Sequence, residues 1–435
     1  MTRCICMVSD FFYPNIGGVE EHIFNLSQCL MSNGNKVVVI THSYGNRKGV
    51  RYMSNGLKVY YIPIKVMYNQ CVLPTYFCNI PIIRYIYIRE RVDIVHSHSA
   101  FSTLAHEGLL VGNLMGLKTV FTDHSLLGFC DVSSILINIL LTMALSACNH
   151  CICVSHTGKE NTVLRANTKI DNVSVIPNSV DTQMFHPIPE LRSKDNVTII
   201  VLSRMVYRKG IDLVIQIIEK ICPKYPEINF LIGGDGPKRV LLEELREQRG
   251  FHNRVRLLGT VEHSEVKYVL NKGHIFLNCS LTEAYCMAIV EAVSCGLLVV
   301  STNVGGIPEV LPKDLLYLTK PEVPELIKGI ESALHVVKSG QFVCPYKLNL
   351  RVKGMYDWRN IASRVEKVYD LISFKKKRTL KQTFQCYLSS GVWPFLVVVA
   401  LAHLMLIILD IFVPRENIDI CRNYPSETRK QIKKD

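Results

Sequence analysis

The feature that most constrains the fold is the repeated alternation of short apolar runs with helical segments. Short apolar runs between helices are typical of parallel strands, which are buried on both faces of a sheet. In the first half these runs are CICMVS, KVVVITH, VDIVHSH, KTVFTDH, HCICVSH and VSVIPN, and in the second half they are VTIIVLSR, INFLIGGDG, RVRLLGT, HIFLNCS and LLVVSTN. The sequence therefore predicts an α/β fold with two doubly wound, Rossmann-like domains that face each other across a cleft.

The chain has 435 residues, which is more than one hydrophobic core usually contains. The seam between the two series lies in the polar stretch DTQMFHPIPELRSKDN, which holds two prolines. We predict an N-terminal Rossmann-like domain at 1–185, a C-terminal Rossmann-like domain at 196–370, a basic linker at 371–390, a transmembrane helix at 391–413 and a polar tail at 414–435.

The apolar run near the C-terminus is long enough to cross a bilayer. Gly391 to Leu409 contains 19 residues without a formal charge, and Ile411 to Val413 extends the run. A Trp-Pro pair at its entry and basic flanks also favour a membrane helix. The alternative is a buried helix of a soluble domain.

Charge counting does not orient this helix, because five basic residues precede it at 375–381 and six follow it at 415–434. We do not expect the start, MTRCICMVSD, to be a signal peptide, since its apolar run is short and an aspartate follows. The 16 cysteines lack regular spacing, which favours reduced thiols. We therefore expect a C-terminal anchor with the catalytic bulk in the cytosol.

The formal net charge of +13 favours anionic partners such as phosphates or an acidic membrane surface. No RNA- or DNA-binding motif accompanies that charge, so no nucleic acid partner is expected. Two apolar segments, Tyr60 to Ile88 and Ser133 to Ser146, are interpreted as core packing or, alternatively, as surfaces for lipid headgroups or partner helices.

Two groups of possible metal ligands have simpler interpretations. The stretch CNHCICVSH holds a Cys-x-x-Cys pair, but its alternation favours a buried strand with free cysteines over half a zinc site. His96, His98 and His106 with Glu107 could also be drawn as a metal cluster, but His-x-His here is better interpreted as the end of a strand.

Cationic residues follow the strand VTIIVLS. Arg204 comes directly after it, and Lys209 stands before Gly210 and a helix. Two cations at the carboxyl end of a parallel sheet suit a phosphate or diphosphate, although solvated surface charge is the alternative. The glycine turn GGDGP after INFLI is a weaker signal, because many tight turns look alike.

Glu283 precedes an apolar helix predicted from Ala284 to Cys295, and Glu291 lies two turns along it. Eight residues separate Glu283 from Glu291, which corresponds to about 12 Å and a rotation of about 80° along a helix. The two carboxylates of a glycosidase lie roughly 5–10 Å apart across one bond. The spacing instead fits two contacts along an extended ligand, with a ribose diol at Glu291 and hexose hydroxyls at Glu283.

These motifs resemble the retaining glycosyltransferases of family 4, which have the GT-B fold. The resemblance covers about residues 3–370 and includes SRMVYRKG, TEAYCMAIVE, VIPNSVD and the glycines of GGV, Gly17 and Gly18. Within that family, MVSDFFYPNIGGVEEH, YGNRKGVRY, HSHSAFS and FTDHSLLGF are similar to the catalytic subunits that transfer N-acetylglucosamine to phosphatidylinositol.

The resemblance implies a role for each matching residue. Glu291 holds the ribose of a uridine diphosphate (UDP) sugar, and Glu283 holds the sugar. Arg204 and Lys209 balance the charge on the leaving diphosphate. The two glycines let the first loop approach the donor phosphates, and His124 lies beside the reaction centre, where it can bond the sugar or the acceptor.

The resemblance also implies the reaction: UDP-GlcNAc donates to phosphatidylinositol in the first step of GPI-anchor synthesis, with retention, on the cytoplasmic face of the endoplasmic reticulum, within a multi-subunit complex. The chain has no D-x-D motif and no evident nucleophile, so we expect no obligatory metal, no cofactor and a same-face displacement. Arg47, Lys48 and Arg51 are candidates for the inositol phosphate, or else form a solvated basic loop.

Three other functions are considered. A transferase of the same fold could add mannose or another sugar to a lipid. A non-catalytic subunit could bind a nucleotide and dock in a membrane complex. A dinucleotide oxidoreductase would need G-x-G-x-x-G after the first strand, and the GGV there does not provide it.

Overall fold

The computed structural model describes residues 2–53, 55–68, 70–75, 77–126, 132–340 and 343–421. Its first half is built on an eight-stranded sheet in the order β10-β9-β8-β7-β1-β2-β4-β3, in which every pair except β3–β4 is parallel. Its strands are β1 (Cys4–Val8), β2 (Lys36–His42), β3 (Gly49–Tyr52), β4 (Lys58–Ile62), β7 (Ile94–His98), β8 (Lys118–Asp123), β9 (His150–Cys153) and β10 (Val173–Val175). The strands β5 (Val66–Tyr68) and β6 (Cys71–Val72) form a separate two-stranded antiparallel sheet. The helices are α1 (Gly18–Ser32), α2 (Ile80–Glu90), α3 (Thr103–Leu114), α4 (Val132–Ser146) and α5 (His156–Ala166).

The second half is built on a six-stranded parallel sheet in the order β13-β12-β11-β14-β15-β16. Its strands are β11 (Val197–Leu202), β12 (Ile228–Gly233), β13 (Val255–Gly259), β14 (Ile275–Asn278), β15 (Leu298–Thr302) and β16 (Leu316–Thr319). Its helices are α6 (Ile211–Lys224), α7 (Arg239–Arg249), α8 (His263–Asn271), α9 (Met287–Ser294), α10 (Val323–Lys338) and α11 (Pro345–Met355). The prediction of two doubly wound domains is confirmed.

Helix α6 shows how the sequence forms these elements. Its apolar residues recur at intervals of three and four, so they share one face of a helix. That face packs on the second sheet and is buried at Ile211, Val214, Ile217, Ile218 and Ile221.

Helix α9 is shorter than predicted. It begins at Met287 rather than Ala284, and it ends at Ser294. The backbone before it is held in a loop, where the Gly306 N–H donates to the Glu283 carbonyl at 2.9 Å. The helical rise therefore does not apply to Glu283, and the separation of about 12 Å from Glu291 does not follow from helix geometry.

Helix α12 (Trp358–Phe374) returns from the second domain to the first. Its apolar face, which includes Val365 and Ile372, belongs to the same core cluster as Ile5 and Met7 of β1. The predicted second domain, 196–370, therefore includes a segment that packs on the first sheet, and its end at 370 cuts through α12. The first domain is completed by sequence from the far end of the chain.

The predicted basic linker at 371–390 is largely helical. It contains α13 (Leu380–Ser389), which begins with a capping box formed by Thr379 and Gln382. Before α13, Arg378 donates to the backbone carbonyl of Ala147 in the first domain. This segment is therefore a docked part of the first domain rather than a free connection.

Helix α14 (Phe395–Phe412) lies within the predicted transmembrane segment but starts four residues later, after Pro394. Among the described residues it is the one helix long and apolar enough to cross a membrane, by length and composition. One face packs on the first domain through Val399, Ala402 and Leu406, and the Arg84 guanidinium in α2 pairs with the carboxylate of Asp410 at 2.5 Å. Other apolar side chains of α14 are exposed, so the helix combines a domain contact with an uncovered apolar face.

The structure also shows how the two other apolar segments, 60–88 and 133–146, and the cysteines are packed. Helix α2 buries Ile83 and Tyr87 but exposes Tyr85, and α4 buries Leu141 but exposes Leu136, so both segments combine core packing with a partly apolar surface. No cysteine in the described residues forms a disulfide, in agreement with the prediction of reduced thiols. The basic residues from 422 onward lie outside the described residues.

We expect Tyr369→Phe to lower the free energy of unfolding by about 1–3 kcal/mol, because a buried imidazole nitrogen loses its partner. The Tyr369 hydroxyl in α12 lies 2.7 Å from Nδ1 of His96 in β7. Denaturant unfolding of the purified chain measures the loss. The control is Tyr346→Phe in α11, whose ring is exposed. Equal stability of the two variants would show that this bond does not hold α12 on the first sheet.

Candidate functional site

Lys209 and Glu283 form an ion pair at the carboxyl edge of the second sheet. They follow β11 and β14, which are neighbours in the sheet, so their loops meet at one edge. The Ser280 hydroxyl donates to Oε1 of Glu283 at 2.9 Å, the same carboxylate oxygen that Lys209 contacts. The two residues that the sequence assigned separately to a diphosphate and a sugar are thus in direct contact.

A close backbone approach makes this ion pair possible. Gly210 has a φ of +68°, and a Cβ at this position would lie 1.9 Å from the carbonyl oxygen of Cys279. No side chain fits there, so this position requires glycine. The turn that contains Lys209 can therefore pack directly against the backbone after β14, which leads to Glu283.

The glycine turn after β12 packs against the loop of Arg204 and supports it. In the sequence this turn is only a weak signal. A Cβ at Gly234 would lie 1.9 Å from the Ser203 carbonyl oxygen, so the two loops touch through their backbones. The Met205 N–H also donates to the Asp235 carbonyl at 2.8 Å. The GGDG motif therefore supports the start of the loop that contains Arg204 and Lys209.

The N-terminus of α1 contributes a buried carboxylate, Glu20, that sequence reasoning missed. Burial raises the pKa of Glu20, whereas a hydrogen bond from Asn15 at 3.0 Å and the charge of Arg204 oppose that rise. A Cβ at Gly17 would lie 2.5 Å from Oε2 of Glu20, so Gly17 makes room for this carboxylate. A Cβ at Gly18 would meet no protein atom within 4 Å.

Glu291 is the fifth residue of α9 and is half-buried. Burial raises its pKa to about 8, and the nearby carboxylate of Glu21 acts in the same direction. Glu21 comes from α1 of the first domain and lies 3.6 Å from Nε2 of His263 in α8. The first domain therefore places a carboxylate beside Glu291, and in the ligand-free protein Glu291 carries a proton at neutral pH.

His124 belongs to a group of three histidines at the carboxyl edge of the first sheet. His98 ends β7, His124 follows β8, and the ring of His22 in α1 packs edge-on against His124 at 4.8 Å between centroids. Burial lowers the pKa of all three, strongly for His98 and His124 and to about 4 for His22, so the cluster is neutral at pH 7.

The three histidines are the group of possible metal ligands that the described residues bring together, with ligand atoms within 4.8 Å of one another. A tetrahedral zinc ion with bonds of 2.0–2.1 Å would need nitrogen separations of about 3.3 Å. The pair His98 Nδ1 and His124 Nε2 is that close, at 3.3 Å, but this contact is also that of a direct hydrogen bond. The cluster as it stands is wider than a zinc site.

The loop after β9 contacts the loop of Glu283, and the loop after β8 approaches the loop after β15. The Ser155 hydroxyl donates to the Ala284 carbonyl at 2.9 Å. A Cβ at Gly305, whose neighbour Gly306 bonds the Glu283 carbonyl, would lie 2.8 Å from the side chain of Leu126. The loop of His124 thus approaches the loop after β15, which is itself bonded to the Glu283 carbonyl.

The structure does not bring Arg47, Lys48 and Arg51 to His124. All three are exposed, and Arg51 lies on β3, the edge strand. Five strand positions separate β3 from β8, which corresponds to about 24 Å. The inositol ring is bonded directly to its phosphate, so this distance argues against the predicted pairing of these residues with His124 at one headgroup.

Comparisons with known proteins identify the family to which the chain is similar. Residues 42–131 match the family model described as PIGA (GPI anchor biosynthesis), and residues 184–339 match glycosyl transferases group 1. The chain is 56% identical to the A subunit of human phosphatidylinositol N-acetylglucosaminyltransferase over 96% of this chain and 87% of that protein. It is 50% identical to the protein with the same name from Arabidopsis thaliana, over 96% of this chain and 94% of that protein.

Solved structures show the same fold. A sucrose-phosphate synthase from Thermosynechococcus elongatus has a TM-score of 0.70 at 17% identity, over 85% of this chain and 99% of that chain. Anabaena HepE in complex with UDP-glucose has a TM-score of 0.66 at 18% identity, over 84% of this chain and 99% of that chain. Both likenesses confirm the predicted GT-B fold.

We expect Glu291→Gln to stabilise the ligand-free protein increasingly as the pH rises. The pKa of Glu291 is raised to about 8 in the folded chain, so its contribution to folding is complete below its ordinary value near 4.5 and is lost between that pH and about 8. The melting temperature of the variant should therefore gain on that of the wild type by a few degrees between about pH 5 and pH 9, at roughly 2–4 °C per kcal/mol.

The control for this measurement is Glu265→Gln, which changes an exposed glutamate in the first turn of α8. Its difference from the wild type should not change over the same range. A Glu291→Gln variant that loses stability as the pH rises would contradict the assignment of a proton to Glu291.

Proposed function

Because the chain belongs to the family of the A subunit of phosphatidylinositol N-acetylglucosaminyltransferase, we propose that it transfers N-acetylglucosamine from UDP-GlcNAc to phosphatidylinositol, the first step of GPI-anchor biosynthesis. It is a glycosyltransferase with the GT-B fold. The observation that carries the substrate proposal is the ion pair of Lys209 and Glu283 at the edge of the second sheet. Arg204 lies in the same loop as Lys209, and its charge acts on Glu20 of the first domain.

The donor is proposed to lie along the edge of the second sheet. Glu291 accepts hydrogen bonds from the ribose hydroxyls, and Arg204 and Lys209 bind the diphosphate. When the diphosphate binds, Lys209 shares its charge between the phosphate and Glu283, which positions Glu283 for the sugar hydroxyls. These charges stabilise the leaving UDP as its bond to the sugar breaks.

We propose retention by displacement on one face of the sugar. The bond between the anomeric carbon and the UDP oxygen breaks, and an inositol hydroxyl oxygen forms the new bond to that carbon. The hydroxyl proton passes to the phosphate oxygen of the departing UDP, so the products are neutralised without a protein base. With two cations at the diphosphate, no metal ion or cofactor is required for this step.

The acceptor is proposed to enter from the membrane side of the first domain, with His124 near the reacting hydroxyl. Helix α14 supplies a segment that could cross a membrane, and its uncovered apolar face is available to lipid or to partner helices. We infer a single-pass protein of the endoplasmic reticulum with its two domains on the cytoplasmic side. Relatives are named as subunits of the transferase, so further subunits of a complex are the expected protein partners.

The donor is identified by a transfer assay. The full chain, with and without its partner subunits, is incubated with phosphatidylinositol vesicles and either radiolabelled UDP-GlcNAc or radiolabelled GDP-mannose. We expect labelled lipid from UDP-GlcNAc. Label from GDP-mannose alone would favour the related transferase that adds mannose, and no label from either donor in the assembled complex would favour a non-catalytic subunit.

Lys209→Ala should lower kcat at least 100-fold in this assay, because a preorganised charge at the leaving group is removed. The matched control is Lys220→Ala, which removes an exposed lysine of α6 on the outside of the same domain. The control should keep its activity. A Lys209→Ala enzyme with a wild-type kcat would refute the assignment of the diphosphate to this edge.

A further inference from the structure

His98 is a buried histidine with a partner at each ring nitrogen. It ends β7, is 0% exposed, and lies between Met7 of β1 and His124 beyond β8. Its Nε2 is 3.4 Å from the thioether sulfur of Met7, and its Nδ1 is 3.3 Å from Nε2 of His124. The sequence places it in HSH, which we interpreted as the end of a strand.

The chemistry of the two partners determines which nitrogen of His98 carries the proton. A thioether sulfur has lone pairs and no hydrogen, so it can only accept a hydrogen bond. In the neutral ring, Nε2 of His98 is therefore the protonated nitrogen and donates to Met7. Nδ1 of His98 then has a free lone pair and accepts from Nε2–H of His124.

The protonation of His98 also determines that of His124. A neutral imidazole carries one proton, so a His124 that donates from Nε2 has an unprotonated Nδ1. In the described part of the chain this Nδ1 is buried and has no hydrogen-bond partner. A buried acceptor without a partner is costly, which is expected of a group that bonds a substrate.

We propose that His98 is a positioning residue that, with Met7, holds His124 in the tautomer whose Nδ1 accepts a hydrogen bond from a substrate hydroxyl. The hydroxyl belongs either to the donor sugar or to the inositol ring. This inference rests on the proposed function for the identity of the hydroxyl, but the tautomer itself follows from the contacts of His98.

The neighbouring histidines support this arrangement rather than compete with it. Both ring nitrogens of His96 are occupied, by Tyr369 and by Thr122, each at 2.7 Å. The ring of His22 packs edge-on against His124 and limits its rotation. The proton of His124 Nε2 therefore has His98 as its partner, and the ring cannot turn freely to exchange its two nitrogens.

The first test is a double-mutant cycle in the transfer assay with the assembled complex. His98→Leu should lower kcat roughly 10- to 100-fold, because His124 loses the acceptor that fixes its tautomer. His98→Asn should stay within about threefold of the wild type, since the Asn oxygen can take the place of Nδ1. Adding His98→Leu to His124→Leu should cost nothing further, because both changes remove one shared function.

The cycle also shows which substrate carries the hydroxyl that bonds His124. It distinguishes a positioning role of His98 from a role in packing alone. A His98→Leu effect on KM for UDP-GlcNAc points to the sugar, and an effect on KM for phosphatidylinositol points to the inositol. Equal losses in the Leu and Asn variants, or additive losses in the double variant, would overturn the proposal, because either result means that His98 acts through packing alone.

The second test needs no substrate. In the complex labelled with 15N-histidine, the ring signals of His124 are assigned by their loss in His124→Asn, and we expect a protonated Nε2 and an unprotonated Nδ1. In His98→Leu this preference should weaken. A protonated Nδ1 in the wild type would overturn the inference. An inactive wild-type complex would instead refute the proposed function and leave the tautomer to be judged by the spectrum.

Discussion

The parallel arrangement of the strands is the constraint on which the rest of the structure depends. All pairs in the second sheet, and all but one in the first, are parallel, so loops with polar residues gather at one edge of each sheet. The two edges face each other, and there the loop after β9 contacts the loop of Glu283 while the loop after β8 approaches the loop after β15. Residues far apart in the chain thus become neighbours only through sheet order.

Charge at this seam is balanced before any ligand binds. Lys209 pairs with Glu283, Arg204 acts on the buried Glu20, and Glu291 holds a proton beside Glu21. Each arrangement lowers the cost of burying a carboxylate. The positions of these charged groups are therefore set by contacts within the protein.

The C-terminal helices pack on the first domain. Helix α12 completes the core of the first sheet, α13 docks beside it, and α14 packs one face on the same domain. The buried Arg84 neutralises Asp410, the one charged residue of α14. The core of the first domain is therefore built from sequence on both sides of the second domain.

The sequence by itself determined the fold class, the apolar helix and the set of residues at the strand ends, because these depend on local spacing and residue type. The alternation of strands and helices, and the cations after β11, are visible in that way. The tertiary structure decided which of these residues meet. It paired Lys209 with Glu283, separated Arg51 from His124, and started α9 after Glu283. It also placed α12 on the first sheet, put Glu21 near Glu291 and aligned Met7, His98 and His124. Such contacts depend on strand order and on backbone approach at glycines such as Gly210, which link positions with no periodic relation in sequence.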